Sequence, residues 1–143
     1  MIRKAVHKDL ESVVKIEEEV FERPWSIDSF RNELNNKFSN FYVYEVNKEV
    51  VGYIIYWDFK EEVEIANIAV KKDYQGMGIG KNLLNFVLNN TNAMYYYLEV
   101  ESNNEKAIRL YTSFGFVEYD FRKNYYGINK HAKLMKLIRG EVC

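Results

Sequence analysis

Apolar residues recur along this chain at two periods, and each change of period marks a change of element. Ile2 to Val6 reads as a short first strand. Leu10, Val13, Val14, Glu17 and Val20 share one face of a helix for which Asp9 is the N-cap, and Arg23-Pro24-Trp25 breaks it. Ser26 caps a second helix through Phe30 and Leu34. Phe41 to Val46 and Val50 to Phe59 are β-prone runs joined by Asn47-Lys48, a tight hairpin. A polar link, Lys60 to Glu62, leads to Ile65, Ala66, Ile68, Ala69 and Val70, a strand buried on both faces with Asn67 its one polar residue.

A charged turn, Lys71 to Asp73, precedes a glycine-rich loop and a helix with Leu83, Leu84, Val87 and Leu88 on one face. Tyr95 to Val100 is another strand. Ser102 and Glu105 have the spacing of a capping box. The helix they open carries Ala107, Leu110, Tyr111 and Phe114 and stops at Gly115 in a left-handed conformation. Phe116 to Tyr125 and His131 to Ile138 are closing strands. Helices between strands in the middle and hairpins at both ends predict a mixed α/β sheet with a central βαβ unit. The length, 143 residues, fits one domain over 1–143.

Composition narrows the classes. A net charge of −1 and a pI near 6.2 give no basic footprint for nucleic acid. The longest apolar run, Val50 to Trp57 interrupted by Gly52, is too short to span a membrane, and MIRKAVHKDL has no signal-peptide core. The one cysteine, Cys143, ends the chain and cannot form an internal disulfide, which fits a reducing, cytoplasmic setting. His7 and His131 have no partners at metal or triad spacing and read as surface residues, so no metal is expected.

The chemistry sits at Gln75-Gly76-Met77-Gly78-Ile79-Gly80-Lys81. Strand, glycine turn and helix aim free N–H groups and the positive end of a helix dipole at an anion. The competing reading is a turn that needs glycine only for steric reasons. A Walker loop fails, because Gln75 stands where its first glycine belongs and Asn82 where its Ser or Thr would hold magnesium. The dinucleotide fingerprint matches at Gly76 and Gly78 but has Lys81 in place of its third glycine; Glu99, about twenty residues on, keeps it as a weaker contender. Gln/Arg-x-x-Gly-x-Gly/Ala is satisfied. That is the pyrophosphate-binding signature of the GCN5-related N-acetyltransferases, which this sequence resembles.

Within that family, Pro24-Trp25-Ser26, Asn67-Ile68-Ala69-Val70, Leu98-Glu99-Val100, Asn104, Ala107-Ile108, Leu110-Tyr111, Gly115-Phe116 and Arg122-x-Asn124-Tyr125-Tyr126 look like the ribosomal-protein-alanine acetyltransferases. The resemblance implies a mixed, mostly antiparallel sheet flanked by helices. It implies acetyl-CoA as co-substrate, and acetylation of the N-terminal alanine of the eighteenth small-subunit ribosomal protein in a ternary complex, by a monomer or weak dimer. Carried over by position, it assigns Gly76, Met77, Gly78, Ile79, Gly80 and Lys81 to the pyrophosphate, Ile68, Ala69 and Val70 to the pantetheine arm, and Asn104 to the same arm. Glu99 becomes the general base and Tyr111 the general acid. Trp25, Tyr125 and Tyr126 line the peptide groove in the family, while core packing is open for each.

The residues themselves say less. An acid among Tyr95, Tyr96, Tyr97, Leu98 and Val100 must face water, meet a partner or carry a raised pKa. Tyr111 lies seven residues after Asn104, on one helix face, but also within an apolar stripe. Glu61, Glu62, Glu64 and Glu101 offer an acidic mouth for a cationic acceptor. Gly76 stands where the loop often has Arg or Gln, and Glu101 where a basic residue is common. Rival expectations are transfer to a polyamine, small metabolite or lysine, a non-catalytic acyl-CoA-binding module, and a nucleotide-dependent oxidoreductase.

Overall fold

A computed structural model describes residues 1–139; Cys143 lies outside them. Seven strands are ordered β1 (Ile2–Lys4), β2 (Ser39–Val46), β3 (Glu49–Asp58), β4 (Glu62–Val70), β5 (Tyr95–Glu101), β7 (Lys130–Ile138) and β6 (Val117–Gly127). The helices are α1 (Leu10–Val20), α2 (Ile27–Asn35), α3 (Ile79–Asn89) and α4 (Glu105–Ser113). β1 with β2, β2 with β3, β5 with β7 and β6 with β7 pair antiparallel, while β4 and β5 form the parallel pair that α3 connects. The mixed, mostly antiparallel sheet and its βαβ unit are those expected. The chain clusters into two units, one of Met1–Asp58 with Ile65–Thr91, the other of Phe59–Glu64 with the described residues from Asn92 on.

In the first unit, Leu10, Val13 and Ile16 of α1 and Phe30 of α2 cover Phe41, Val43, Tyr53 and Ile55 of the sheet. Rings of Phe30, Phe41 and Tyr53 meet at 5.6–6.4 Å, and each buried side chain of this size stabilises by about 1.5–3 kcal/mol. Ser26 caps α2 by accepting from the Ser29 N–H. Asn47 and Lys48 both take positive φ, the geometry of a two-residue hairpin. Gly52 lies where the packing is tight: a Cβ there would meet the Ala69 carbonyl oxygen at 3.2 Å.

In the second unit, Tyr96, Leu98 and Val100 are buried on one face of β5, while Tyr95, Tyr97, Glu99 and Glu101 are more open on the other. That is a period-two pattern. The register pairs Glu62, Val63 and Glu64 with Tyr95, Tyr96 and Tyr97. Gly115, at φ 98, ends α4. The Phe116 N–H reaches the Tyr111 carbonyl and the Gly115 N–H that of Thr112, as a Schellman stop requires.

Three local expectations need correction. Ser102 does not cap α4: Asn104 is the cap, its Oδ1 accepting from the Ala107 N–H at 3.2 Å, and the Ser102 N–H is held by the His131 carbonyl. Asp9 occupies the N-cap of α1 but its carboxylate turns to Arg3, at 2.8 and 2.9 Å, and to the Val6 N–H. β4 is buried on one face only: Ile65, Asn67 and Ala69 are buried, Ala66, Ile68 and Val70 half-buried.

Candidate active site

The glycine loop is built by three local devices in the first unit. Gln75 donates from its side-chain amide to the Val70 carbonyl at 2.9 Å, closing the turn onto the end of β4. Gly76 and Gly78 sit at φ 82 and 83, left-handed conformations that side-chain-bearing residues avoid. Gly78 is the N-cap of α3 and supplies no side-chain cap. The amides of Ile79, Gly80 and Lys81, in the first helical turn, have no intrahelical acceptor, and the helix ladder starts with Asn82 N–H to Gly78 carbonyl. No heavy atom lies within 4 Å of a Cβ built at Gly76 or Gly78. Open space over free donors at a helix N-terminus fits a diphosphate. Met77 and Lys81 are exposed beside it.

The neighbouring strand segment Asn67 to Val70 is pinned from below. The Asn67 amide donates at 2.8 Å to Glu17, a carboxylate only 2% exposed. The same carboxylate accepts from the Tyr53 hydroxyl and from the Trp25 N–H at 2.9 Å. Burial, then the charge and hydrogen bond of Glu17, push the Tyr53 phenol well up. The sequence showed Glu17 as one member of a helical stripe. A lone acid on an apolar face was the available signal.

In the second unit, Glu99 is exposed, and its Oε1 accepts from the Tyr126 hydroxyl at 3.0 Å. Of the possible fates of an acid in that strand, it both faces water and has a partner. Tyr126 is half-buried; burial first, and the charge of Glu99 second, raise its phenol above the ordinary value. Glu64, opposite Tyr97 in the register, is raised above the usual carboxylate range by burial and then by the charges of Glu99 and Glu62. Of the acidic-mouth residues, Glu64 is the one that faces the expected base.

Tyr111 is buried on α4, and burial pushes its phenol up. Its ring packs on Phe116 at 6.0 Å between centroids, and its hydroxyl has no hydrogen-bond partner among the described residues. Core packing and a free hydroxyl therefore coexist at this position. Asn104 precedes α4 as its cap, so the seven-residue spacing to Tyr111 starts from the cap residue.

Tyr125 is exposed, edge-on to Tyr126 at 5.1 Å with the Arg122 guanidinium 5.4 Å from its ring centroid. Trp25 belongs to the other unit, packed on Phe30 at 5.3 Å. His131 is not a simple surface residue: its Nδ1 accepts from the Asn124 N–H at 2.9 Å. Among the described residues, no cluster of three His, Cys, Asp or Glu side chains is placed to hold a metal ion, and no helix is long and apolar enough to cross a membrane.

A seven-stranded mixed sheet, a glycine loop opening the crossover helix and a carboxylate on the next strand define a class. The chain belongs to the acetyltransferase (GNAT) family, whose model matches residues 10–116, and it is an N-acetyltransferase. Among its relatives is the [ribosomal protein bS18]-alanine N-acetyltransferase of Haemophilus influenzae, 35% identical over 82% of this chain and 82% of that protein. The crystal structure of the ribosomal-protein-S18-alanine N-acetyltransferase from Escherichia coli superimposes with a TM-score of 0.88 at 29% identity, over 100% of this chain and 97% of that one. Ard1 from Thermoplasma volcanium gives 0.89, also at 29%, over 99% and 98%.

Proposed function

We propose that the chain is an acetyl-CoA-dependent N-alpha-acetyltransferase of the cytoplasm whose acceptor is the N-terminal alanine of ribosomal protein bS18. The observation that carries the donor assignment is the loop: two left-handed glycines with open space around them lead directly into the unpaired amides that begin α3. The acceptor assignment is supported by the activity named for the relatives.

Acetyl-CoA supplies an acetyl thioester. The backbone of Gly76, Met77, Gly78, Ile79, Gly80 and Lys81, with the Lys81 ammonium, binds its pyrophosphate, and Ile68, Ala69 and Val70 bind the pantetheine arm through strand hydrogen bonds. Asn104 contacts the same arm. Glu99, oriented by the Tyr126 hydroxyl, takes a proton from the acceptor ammonium through water. With a pKa of about 7.7–8.0 for a terminal amine, only a modest bias is required. The freed amine attacks the thioester carbonyl, whose oxygen a strand N–H polarises, and the C–S bond breaks as C–N forms. Tyr111 gives its hydroxyl proton to the departing sulfur, and the second proton that nitrogen sheds as the amide forms passes through water to restore the phenol. Burial that raises the phenol keeps the hydroxyl proton in place until a thiolate forms, and the same dry surroundings raise the proton affinity of sulfur.

The test is a side-by-side assay of the purified chain with acetyl-CoA and either an alanine-starting bS18 peptide or spermidine, read by intact mass. Acetylation of the peptide at its α-amine is the expected result. Acetylation of spermidine alone would overturn the acceptor, and absence of coenzyme A binding by calorimetry would overturn the whole reading.

A further inference from the structure

Both tryptophans of the chain line one cleft in the first unit, with Ser29, Asn32 and Glu33 beside them. Each indole is held from behind. The Trp25 backbone N–H is anchored on buried Glu17 at 2.9 Å, and its indole ring packs on Phe30 at 5.3 Å between centroids. The Trp57 Nε1 donates to the Glu33 Oε1 at 2.7 Å, and the Ser39 hydroxyl donates to the same oxygen at 2.8 Å. One carboxylate oxygen of Glu33 thus has two donors. The other, Oε2, receives none from the described residues, and Glu33 forms no ion pair with them.

A half-buried anion with one open oxygen, beside two fixed and half-buried π faces, selects for a cation that is flat and donates in its own plane. Guanidinium meets that description better than ammonium. It stacks on aromatic faces, is weakly hydrated and points its N–H groups sideways at a carboxylate. Ser29 and Asn32 leave the rest of the lining uncharged, so no like charge opposes it. Because the Trp57 indole is tied to the Glu33 carboxylate and the Trp25 indole packs on Phe30, little ordering remains to be done when the ligand enters.

We propose that this cleft binds an arginine side chain of the acceptor polypeptide, downstream of the residue that is acetylated. The choice of the acceptor as its source rests on the function proposed above, and the experiment separates the two. As Trp25 and Trp57 are the chain's two tryptophans, intrinsic tryptophan emission reports on this cleft.

Emission is followed while an alanine-starting hexapeptide with arginine among its following residues is titrated, without and with coenzyme A. A second peptide carries citrulline, the uncharged isostere, in place of each arginine. The expected result is a saturable emission change with the arginine peptide, about tenfold weaker with citrulline and about tenfold weaker for Glu33→Gln with the arginine peptide, the scale of one charge-assisted contact. Identical titrations for the two peptides would overturn the proposal, as would no emission change from an enzyme that acetylates both with equal KM. An emission change that discriminates arginine from citrulline, with no acetyl transfer to either, supports the cleft and overturns the proposed function.

Discussion

Glu99 is an exposed carboxylate held by one phenol, and that single contact makes its role testable. Glu99→Gln keeps the size and the hydrogen bond but removes the proposed base. The rise of kcat/KM with pH seen for the wild type should flatten, and an unaltered profile would mean another group accepts the proton. Tyr111→Phe removes a hydroxyl that has no hydrogen-bond partner among the described residues and keeps the ring packed on Phe116. It should lower kcat by roughly 10²–10⁴-fold with coenzyme A affinity retained, by steady-state kinetics and calorimetry. Glu64 gives a prediction in stability. Its folded-state pKa is raised, so its charged form costs the fold, fully above that pKa and no longer once pH falls through it. Glu64→Gln should therefore melt above wild type at pH 8, with the gap closing toward pH 4. Equal Tm values across that range would remove the strain. The motif made Glu99 legible in the sequence, but Glu64 and Tyr126 became its neighbours only through strand register and the return of β6. Residues 35 and 27 positions away leave no local trace.

At the scale of elements, the chain stated its types clearly and its boundaries less so. The hairpin at Asn47-Lys48, the βαβ crossover and the stop at Gly115 each follow from backbone chemistry that few residues satisfy. Three residues able to cap, Ser102, Asn103 and Asn104, stand together before α4, and sequence spacing does not choose between them. Asn104 Oδ1 accepts from the Ala107 N–H, while the Ser102 N–H is tied to the His131 carbonyl of β7. Asn104→Ala should accordingly destabilise by about 1 kcal/mol, whereas Ser102→Ala should stay within about 0.5, both from urea midpoints at constant m. Equal losses would restore the earlier cap. The loop gives a complementary case. An alanine Cβ at Gly78 meets nothing within 4 Å, so Gly78→Ala costs only the left-handed backbone, about 1–2 kcal/mol. Coenzyme A should bind more weakly to it, because relief of that strain swings the helix-opening amides away. Undiminished affinity by calorimetry would show that the amides do not serve the diphosphate.

At the largest scale, one side chain deep in the first unit connects parts of the sequence that are otherwise far apart. Glu17 on α1 receives the Trp25 N–H after the helix break, the Tyr53 hydroxyl from β3 and the Asn67 amide from β4. No cation among the described residues neutralises it. Three donors instead divide its charge, which is how a buried carboxylate remains tolerable. The two ends of this arrangement meet different proposed roles, since Asn67 belongs to the strand proposed to hold the pantetheine arm and Trp25 lines the cleft proposed for arginine. Replacement by leucine leaves three polar groups without partners, at about 1–3 kcal/mol each if none finds water. Partial relaxation brings the expected loss to about 3–5 kcal/mol, a large part of the 5–15 kcal/mol typical of a whole domain. Glutamine behaves differently. Its oxygen can still face the rigid Trp25 N–H while its amide turns to the Tyr53 oxygen and to an Asn67 side chain that rotates end for end. Glu17→Gln should then lose no more than about 2 kcal/mol, by urea midpoints at unchanged m. If leucine and glutamine cost the same, what matters at position 17 is charge itself, and the hydrogen-bonding geometry described here is not what keeps an acid in the core.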